Sequence, residues 1–381
     1  MMRRKRAWKL AGLAMALGLI AAACSNDDDT DEAAQADDEA AQQEEDQEQP
    51  AAGGTLAQVR ERGTLNCGVN DAVPGFGFVD EAGEFSGFDI EYCGAIAAAV
   101  LGDSEAVDFT PLTADNRFTV LQAGDVDVLV RNTTHTSGRD GTEGSAFATT
   151  TFYDGQGMMV RADEGITEVD ELEGGNICVL SGTTTELNLT TRFARAGLDF
   201  TPQSFEDNDQ LQEAFVQGQC DGWTSDKSQL AGVRSAFPEA EGGPESLVIL
   251  DETFSKEPLG PVVRDGDDEW FDVVNWTVIA TIQAEEFGIT SDNVEEMRAS
   301  DDPDIRRFLG ESFEDETGAT AEPFDPGLDL PVDFAAQVIE QVGNYGEIYD
   351  RNVGPGTPLD LERDLNALWT DGGLLYAPPY R

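Results

Sequence analysis

The stretch from Val126 to Asp140 reads VDVLVRNTTHTSGRD, and the rest of the chain is organised around it. Its first five residues, Val126–Val130, form an alternating apolar run that predicts a buried strand. The next ten, Arg131–Asp140, contain hydroxyls, an amide and two arginines but no aliphatic side chain. Ligands bind outside the carboxyl ends of strands in α/β sheets, and arginine can grip a carboxylate with two parallel hydrogen bonds. The stretch therefore predicts either a site for a small carboxylate or a polar loop that caps the next helix.

Strands and helices alternate on the N-terminal side of this stretch. A strand at Thr64–Val69 precedes an Ala-rich helix that Asp89 could cap, and a strand at Val107–Pro111 precedes a helix at Asn116–Gln122 that carries Arg117. Repeated strand–helix units predict an α/β fold with a largely parallel sheet.

A second series of strands and helices begins near Thr151. The run Asn176–Leu180 is a predicted strand, and a Gly-Thr turn with Thr183 and Thr184 follows it at the start of a helix. Such a turn presents free backbone N–H groups to an anion. The alternative is ordinary helix capping, because Thr183 and Glu186 have the spacing of a capping box, and both interpretations can hold at once.

A further strand, Cys220–Ser225, ends in Asp226. A carboxylate at this strand end suits a ligand ammonium group, but an N-cap for a helix from Ser228 onward is an equally good interpretation. Two segments look like crossings between two halves of the body: Phe152–Gly157 leads into the second series, and Glu257–Arg264 leads out of it.

The body of the chain, roughly 330 residues, is longer than one hydrophobic core usually serves. We expect residues 53–152 to form the first part of lobe 1, residues 153–256 to form lobe 2, and residues 257–381 to return to lobe 1 and add a helical C-terminal extension. One helix of that extension is predicted over 334–349. Two α/β lobes joined by two crossings describe a hinged binding protein that closes on its ligand like a Venus flytrap.

The N-terminus has the pattern of a secretion signal. Residues 1–23 begin with basic residues, continue with an apolar run too short to span a membrane and end in small residues. Cys24 follows in a pattern that resembles a bacterial lipobox, so we expect it to be lipidated; ordinary cleavage that leaves a free thiol is the alternative. Residues 24–52 are rich in Asp, Glu, Gln and Ala, which predicts a disordered acidic tether between the membrane and the body.

Acidic residues dominate the composition. The chain has 76 Asp and Glu against 23 Lys and Arg, a formal net charge of −53. This balance argues against nucleic acid and anionic membrane surfaces as partners. It also suggests adaptation to a salty medium, where ions screen the self-repulsion of the chain.

The cysteines other than Cys24 are even in number, which indicates disulfides in a protein outside the cytoplasm. Pairing Cys67 with Cys93 and Cys178 with Cys220 would close one loop in each lobe, although four cysteines allow three pairings. A metal site is not predicted, because the chain has no CxxC motif and a single His.

Long motifs throughout the body resemble one family. They read GFD at 87–89, RNTT at 131–134, YDGQG at 153–157, SGTTTELNL at 181–189, SKEPLGP at 255–261, QVGNYGE at 341–347 and LNALW at 365–369. From about residue 55 to residue 381 the chain resembles the general L-amino-acid-binding proteins of polar amino acid ABC importers. The resemblance implies a type II periplasmic-binding-protein fold, capture of L-amino acids with a broad or Glu/Gln/Asp-like range, and delivery to permease and ATPase subunits. It implies no cofactor and no catalytic residue, and we expect a monomer.

The resemblance also implies roles for individual residues. Arg131 and Arg117 are additional cations that would favour Glu or Asp as ligands. His135 stands where close relatives tend to carry Trp, so it alters the pocket wall, adds pH sensitivity or is an ordinary packed side chain. The remaining implied ligand-binding residues are Arg139, Asn132, Thr134, Thr183 and Thr184 for the α-carboxylate, Asp226 for the α-amino group, and Phe76 as an aromatic platform.

Two other functions are compatible with this scaffold. Periplasmic dehydratases of prephenate-like acids resemble the same fold, and their reaction needs an acid and a base, roles in which His135 and Asp226 can be imagined. A sensor that presents a bound amino acid to a membrane partner is the second alternative.

Overall fold

The computed structural model describes residues 54–314 and 318–381. The predicted signal peptide at 1–23, the lipidated Cys24 and the acidic tether at 24–52 therefore lie outside the described residues. In the part of the chain that is described, no helix combines the length and the apolar character needed to cross a bilayer. The helices are α1 Thr55–Arg62, α2 Phe88–Leu101, α3 Arg117–Ala123, α4 Ser137–Thr142, α5 Thr184–Ala196, α6 Asn208–Val216, α7 Lys227–Ser235, α8 Asp268–Glu286, α9 Val294–Met297, α10 Pro303–Phe308, α11 Phe334–Gln341 and α12 Tyr345–Asn352.

Most of the strands belong to two sheets. The strands are β1 Leu65–Val69, β2 Ala72–Val73, β3 Gly77–Val79, β4 Phe85–Ser86, β5 Val107–Pro111, β6 Val128–Leu129, β7 Ser145–Phe147, β8 Phe152–Asp154, β9 Gln156–Arg161, β10 Asn176–Leu180, β11 Thr201–Phe205, β12 Gly222–Asp226, β13 Leu247–Ile249, β14 Glu257–Leu259, β15 Val262–Arg264, β16 Phe313–Glu314 and β17 Thr320–Ala321.

The two larger sheets form the centres of two lobes. The first sheet has the strand order β5-β1-β6-β15-β7, and the second has the order β11-β10-β12-β9-β13. We call the first sheet with the helices that pack on it lobe 1, and the second sheet with α5, α6 and α7 lobe 2. In each sheet the first three strands run parallel, and the fourth is antiparallel to both of its neighbours. This arrangement confirms the predicted two-lobed α/β fold.

The strand–helix pattern does not predict the antiparallel strands β9 and β15. Each follows directly on a crossing strand, β8 before β9 and β14 before β15. A parallel strand needs a crossover connection, usually a helix, to bring the chain back to the same end of the sheet. Because neither β9 nor β15 is preceded by a helix, each enters its sheet in the opposite direction.

Two crossing segments connect the lobes. Strands β8 and β14 pair antiparallel, which places Tyr153 opposite Pro258 and Asp154 opposite Glu257. Asn366, from the C-terminal segment, also binds Tyr153. Its Oδ1 accepts a hydrogen bond from the Tyr153 N–H at 2.7 Å, and its Nδ2 donates to the Tyr153 carbonyl at 3.1 Å. The crossing strand β8 is therefore hydrogen-bonded along both of its edges.

The largest core cluster lies in lobe 1 around α2. Residues 95–99 of this helix are fully buried, as expected for a helix that is apolar on every side. Cys93 on α2 forms a disulfide with Cys67 on β1, and Cys178 on β10 forms one with Cys220, which precedes β12. Of the three possible pairings, the structure has the one in which each disulfide lies within a lobe.

The prediction that Asp89 caps α2 is wrong. The helix begins at Phe88 with Gly87 in the N-cap position, and Gly87 has a φ of 128°. A Cβ atom on Gly87 would lie 2.2 Å from the carbonyl oxygen of Phe76, so this approach requires glycine. The buried side chain of Asp89 instead accepts a hydrogen bond from the N–H of Asn132 at 2.7 Å.

The single helix predicted over 334–349 is two helices, α11 and α12. Gly343, with a φ of 101°, lies between them, and Asn344 caps α12 by accepting a hydrogen bond from the Glu347 N–H at 2.9 Å. A glycine in the left-handed region ends a helix at little steric cost, so the break follows from this one residue.

Candidate ligand-binding site

Polar residues from both lobes meet around one small cavity of about 20 Å³, which we call the cleft cavity. It lies beyond the carboxyl ends of β6, β10 and β12, where α/β sheets bind ligands. Its lining residues are Arg117, Arg131, Asn132, Thr134 and Arg139 from lobe 1, and Leu180, Thr183, Thr184, Thr185, Ser225, Asp226 and Gln229 from lobe 2.

All of the predicted ligand-binding residues except Phe76 line the cleft cavity. Phe76 is 1% exposed, and its ring lies 5.1 Å from the ring of Phe152 and 5.9 Å from the ring of Phe88. Its side chain belongs to the lobe 1 core. The predicted aromatic platform is therefore not at this position.

Asn132 sits at the lobe boundary in an unusual backbone conformation. Its φ is 31°, and the bond from its N–H to Asp89 holds it there. Its side-chain Nδ2 donates to Oε1 of Gln229 in lobe 2 at 3.1 Å, while its Oδ1 accepts from Asn70. Burial raises the pKa of Asp89 to about 7, and the Asn132 N–H and the charge of Arg131 oppose this rise. Asp89 thus positions a residue that connects the two lobes.

The Arg139 side chain is held by the same loop. Its Nη1 donates to the carbonyl of Thr134 at 2.8 Å, and its guanidinium lies 5.5 Å from the ring centroid of Phe118. Burial lowers the pKa of Arg139, while the carboxylates of Asp226 and Glu257 act in the opposite direction. Arg139 remains charged, and it faces the cleft cavity with most of its hydrogen-bonding capacity unused by the bond to Thr134.

Arg117 is a buried cation with an incomplete set of partners. It is 2% exposed, and its Nε has no hydrogen-bond partner among the described residues. Its Nη2 reaches only the carbonyl of Gly182, at 3.5 Å. Burial lowers the pKa of Arg117 well below its ordinary value, and the neighbouring charges of Arg139 and Arg131 lower it further. Because an unpaired buried charge is costly, an anion in the cavity would stabilise this side chain.

Arg131 has stronger hydrogen-bond and charge partners within the protein than Arg117 has. Its Nε donates to the carbonyl of Leu112 at 2.6 Å, and it lies beside Asp89. Burial lowers the pKa of Arg131 to about 10, and the charge of Asp89 opposes this decrease. Of the cavity arginines, Arg131 therefore has the clearest structural role.

The start of α5 has half of the predicted capping box: Thr183 caps the helix, whereas the Glu186 carboxylate accepts a hydrogen bond from the Ser204 hydroxyl at 2.8 Å. Thr183 accepts a hydrogen bond from the Glu186 N–H at 3.1 Å and donates to the carbonyl of Leu180 at 2.6 Å. The Thr184 hydroxyl donates to Glu257 at 2.8 Å and lies 3.3 Å from the hydroxyl of Thr134 in lobe 1. Thr184 thus connects lobe 2 to lobe 1 and to the return crossing.

Asp226 is buried in the lobe 2 wall of the cavity, and its Oδ1 has no partner within residues 54–314 and 318–381. It occupies the N-cap position of α7 but makes no side-chain capping bond. Burial raises the pKa of Asp226 well above its ordinary value, and the carboxylates of Asp154 and Glu257 raise it further; Arg139 and Arg117 oppose the rise. The capping interpretation thus does not account for Asp226, and its free oxygen suits an ammonium donor.

Sequence reasoning missed four lining residues: Leu180, Thr185, Ser225 and Gln229. Gln229 lies three residues after Asp226, so both project from the same side of the first turn of α7. The three-residue spacing from Asp226 could therefore have identified Gln229 as a lining residue. The other three adjoin residues already selected at the two strand ends.

His135 does not line the cleft cavity. Its ring stacks on Phe147 with centroids 4.5 Å apart, and its Nε2 lies 3.6 Å from Oδ1 of Asp140. The side chain is 42% exposed. The structure therefore places His135 at a partly exposed position outside the lining that contains Asp226.

Two lobes that contribute opposite charges to one cavity between them define a two-lobed solute-binding protein. The family described as bacterial extracellular solute-binding proteins, family 3, matches residues 65–293, and the chain belongs to this family. Its members act outside the cytoplasm, as the family description states.

Individual relatives cover most of the chain. The general L-amino acid-binding periplasmic protein AapJ of Rhizobium johnstonii is 49% identical over 86% of this chain and 93% of its own. The glutamate/glutamine/aspartate/asparagine-binding protein BztA of Rhodobacter capsulatus is 47% identical over 86% of this chain and 93% of its own. A solved ABC transporter periplasmic binding protein from Brucella ovis, with glutathione bound, is 47% identical with a TM-score of 0.80, covering 86% of this chain and 100% of that one.

Proposed function

We propose that this protein captures L-amino acids between its two lobes and delivers them to an ABC importer. The observation that carries the proposal is the pairing of charges across the cleft cavity. The Asp226 carboxylate has a free buried oxygen, and the guanidinium groups of Arg139 and Arg117 face the same space. An α-amino acid carries an ammonium and a carboxylate on one carbon, and so matches both sides. The amino acids in the names of the relatives AapJ and BztA support this ligand class.

In the proposed mechanism, the α-carboxylate binds Arg139 in lobe 1, with the hydroxyl of Thr134 as a further donor, because the Thr184 hydroxyl already donates to Glu257. The α-ammonium binds Asp226 in lobe 2. Each lobe thus holds one charge of the ligand, and closure brings the two charges together and excludes water. Burying a charge is unfavourable unless it is paired, so molecules that lack either group are rejected. The glutathione of the Brucella ovis relative also has a free α-amino and α-carboxyl group on one carbon.

Arg117 gives the proposed site a preference for acidic ligands. Three arginines and one aspartate are the charged residues that line the cavity. A zwitterionic amino acid leaves this excess of positive charge uncompensated, whereas a glutamate or aspartate side chain would supply an anion for the free Nε of Arg117. We propose that neutral amino acids bind and that acidic ones bind more tightly.

Binding without turnover is the proposed mode of action. The dehydratase alternative requires an acid and a base at the ligand, and His135 lies outside the cavity lining. No feature of the site favours the sensor alternative over transport.

The remaining assignments concern the whole chain. We propose that residues 1–23 are removed, that Cys24 carries the lipid that anchors the protein, and that the 24–52 tether lets the body reach the permease of the importer. We further propose a monomer that closes about the segments at 152–157 and 257–264, with lobe boundaries at 53–152, 153–256 and 257–381.

Calorimetric titration of the purified protein with L-amino acids in high-salt buffer tests the proposed function. We expect several L-amino acids to bind, glutamate and aspartate most tightly, and Arg139→Ala to abolish all binding. Arg117→Met should weaken glutamate binding by about tenfold or more while neutral amino acids bind nearly as in the wild type, because the lost interaction is a charge-assisted hydrogen bond. A folded wild type that binds no amino acid would overturn the proposal.

A further inference from the structure

A second polar groove adjoins the cleft cavity. It is lined by α5, by residues 254–257 at the start of the return crossing and by Thr136 of lobe 1, and its volume is about 290 Å³. Thr184 lines both the groove and the cleft cavity. The Thr184 hydroxyl, with its bonds to Glu257 and Thr134, is therefore part of the partition between them. We call this groove the second compartment.

The second compartment follows one face of α5. Thr184, Asn188, Thr191 and Arg195 are spaced by four, three and four residues, so they lie on one side of the helix. With a rise of 1.5 Å per residue, the stripe extends about 6 Å from Thr184 to Asn188 and about 16 Å to Arg195. A ligand that leaves the cleft cavity past Thr184 would thus reach Asn188 after about two extended amino acid residues and the backbone of Arg195 after about four or five.

Two cations of the second compartment are unpaired. Neither Lys256 nor Arg195 has an ion pair or hydrogen bond with any residue that the structure describes, and both are exposed. By contrast, Lys227 donates to the carbonyl of Asp251, and Arg192 pairs with Glu252 and Asp170. In a chain with 76 acidic and 23 basic residues, cations have many possible partners. Two that remain free on one groove are available to an external anion.

We propose that the second compartment binds the distal carboxylate of a ligand that extends from the cleft cavity, with Lys256 and Arg195 as its cationic partners. The inference rests on the proposed function, because Asp226 and Arg139 fix the α-amino and α-carboxyl groups. With both groups held, a ligand can be extended only through its side chain. Among such ligands we select γ-glutamyl peptides, the class to which the glutathione of the Brucella ovis relative belongs. In these peptides the side-chain carboxyl of glutamate forms the amide bond and the next residue supplies the distal carboxylate.

Titration calorimetry with three probes tests this inference. The probes are L-glutamate, γ-L-glutamylglycine and γ-L-glutamylglycinamide, the last of which lacks the distal charge. We expect the wild type to bind γ-L-glutamylglycine at least about tenfold more tightly than the amide, as a charge-assisted contact predicts. The double variant Lys256→Gln/Arg195→Gln should remove that difference and leave affinity for glutamate and for the amide within about twofold, because both side chains are exposed and distant from the α-groups.

Arg234→Gln is the matched control. Arg234 lies in the last turn of α7 in the same lobe and lines neither compartment, and its replacement removes one of the two charges that the double variant removes. It should leave all three affinities unchanged. If the wild type binds glutamate but does not distinguish γ-L-glutamylglycine from the amide, or if the double variant weakens all three probes equally, the second compartment is not a ligand site. Failure of the proposed function has a different signature, in which the folded wild type binds no amino acid at all.

Discussion

The Oδ2 atom of Asp154 accepts a hydrogen bond from the backbone N–H of Ser228 at 3.1 Å. Ser228 is the second residue of α7, and its N–H is one that an N-cap side chain usually satisfies. The N-cap residue of α7 is Asp226, but the cap comes from the crossing strand β8. Asp226 therefore does not cap α7, and its Oδ1 has no partner among the described residues and can bind a ligand.

We expect Asp154→Ala to disturb ligand binding through Asp226. Without Asp154, the Ser228 N–H loses its acceptor, and Asp226, in the N-cap position of α7, is the residue placed to replace it. Capping by Asp226 would withdraw its carboxylate from the cavity. Amino acid affinity should therefore fall by about tenfold or more, beyond the ~1 kcal/mol stability cost of a lost cap, even though removing the Asp154 charge favours the ionised form of Asp226. Calorimetry and thermal unfolding measure the two effects separately.

Asp207→Ala is the matched control for that change. Asp207 caps α6 in the same lobe by accepting a hydrogen bond from the Gln210 N–H at 2.8 Å. The Asp207→Ala substitution should lower the free energy of unfolding by a similar amount and leave amino acid affinity unchanged. Equal losses of affinity in the two variants would contradict the role assigned to Asp154.

Asp226→Asn should weaken binding and stabilise the ligand-free protein. The pKa of Asp226 is raised in the folded protein, so its protonation favours folding. That contribution is complete below the unfolded pKa of about 3.9 and is lost as pH rises through the folded pKa. At neutral pH, a neutral Asn should raise Tm by a few degrees, corresponding to roughly 1 kcal/mol. Amino acid affinity should fall by about 100-fold or more, because the ammonium loses a buried counter-charge.

The same residue gives the wild type a pH-dependent affinity. The ligand ammonium requires the ionised carboxylate of Asp226, so affinity should decrease as pH falls through the raised pKa of the ligand-free protein. Titrations over a pH series with Asp226→Asn as the reference test this expectation. A wild-type pH profile as flat as that of the variant would show that Asp226 does not bind the ammonium.

Gly232→Ala should hinder closure without harming either lobe. Gly232 lies within α7, and a Cβ atom there would be 2.4 Å from the carbonyl oxygen of Pro74 in lobe 1. Alanine is a better helix former than glycine by roughly 1 kcal/mol, so stability in the absence of ligand should not decrease. Ligand affinity should fall about tenfold, since the closed form must separate these atoms. Unchanged affinity, measured by calorimetry, would mean that the lobes close without this contact.

Asp89 should act on binding only through Asn132. Asp89→Ala removes the acceptor of the Asn132 N–H, which should loosen this residue and its bond to Gln229 and weaken amino acid binding by about tenfold. Asp89→Asn keeps an acceptor oxygen and should restore most of the affinity. Hydrogen exchange at the Asn132 amide should be faster in Asp89→Ala than in Asp89→Asn. Similar exchange in both variants would contradict this positioning role.

The sequence predicts the site better than it predicts the surroundings of the site. Arg139, Thr183 and Asp226 each follow a predicted strand, and strand ends of an α/β sheet converge at one edge, so their meeting in one cavity follows from local pattern. Phe76 and Asp89 were misplaced because their environments depend on contacts that are distant in sequence. The ring of Phe76 packs on Phe152, and the carboxylate of Asp89 binds the Asn132 N–H.

The choice between capping and ligand binding also required the structure. Thr183 has a capping pattern and does cap α5, whereas Asp226 has an equally good pattern and does not cap α7. The difference lies in Asp154, which approaches α7 from a crossing strand more than seventy residues earlier in the chain. Local sequence shows which side chains are able to cap a helix. Tertiary contacts determine which of the available side chains forms the capping hydrogen bond.

The carboxamide of Asn366 reproduces the two hydrogen bonds that a third strand would make to Tyr153. A narrow ribbon such as β8 and β14 would otherwise present an unpaired edge, which is a template for pairing with the strand of another chain. A side chain blocks that edge without extending the sheet. At Tyr153 the connection between the lobes is thereby closed to intermolecular strand addition, in the part of the molecule that the proposed closure would bend.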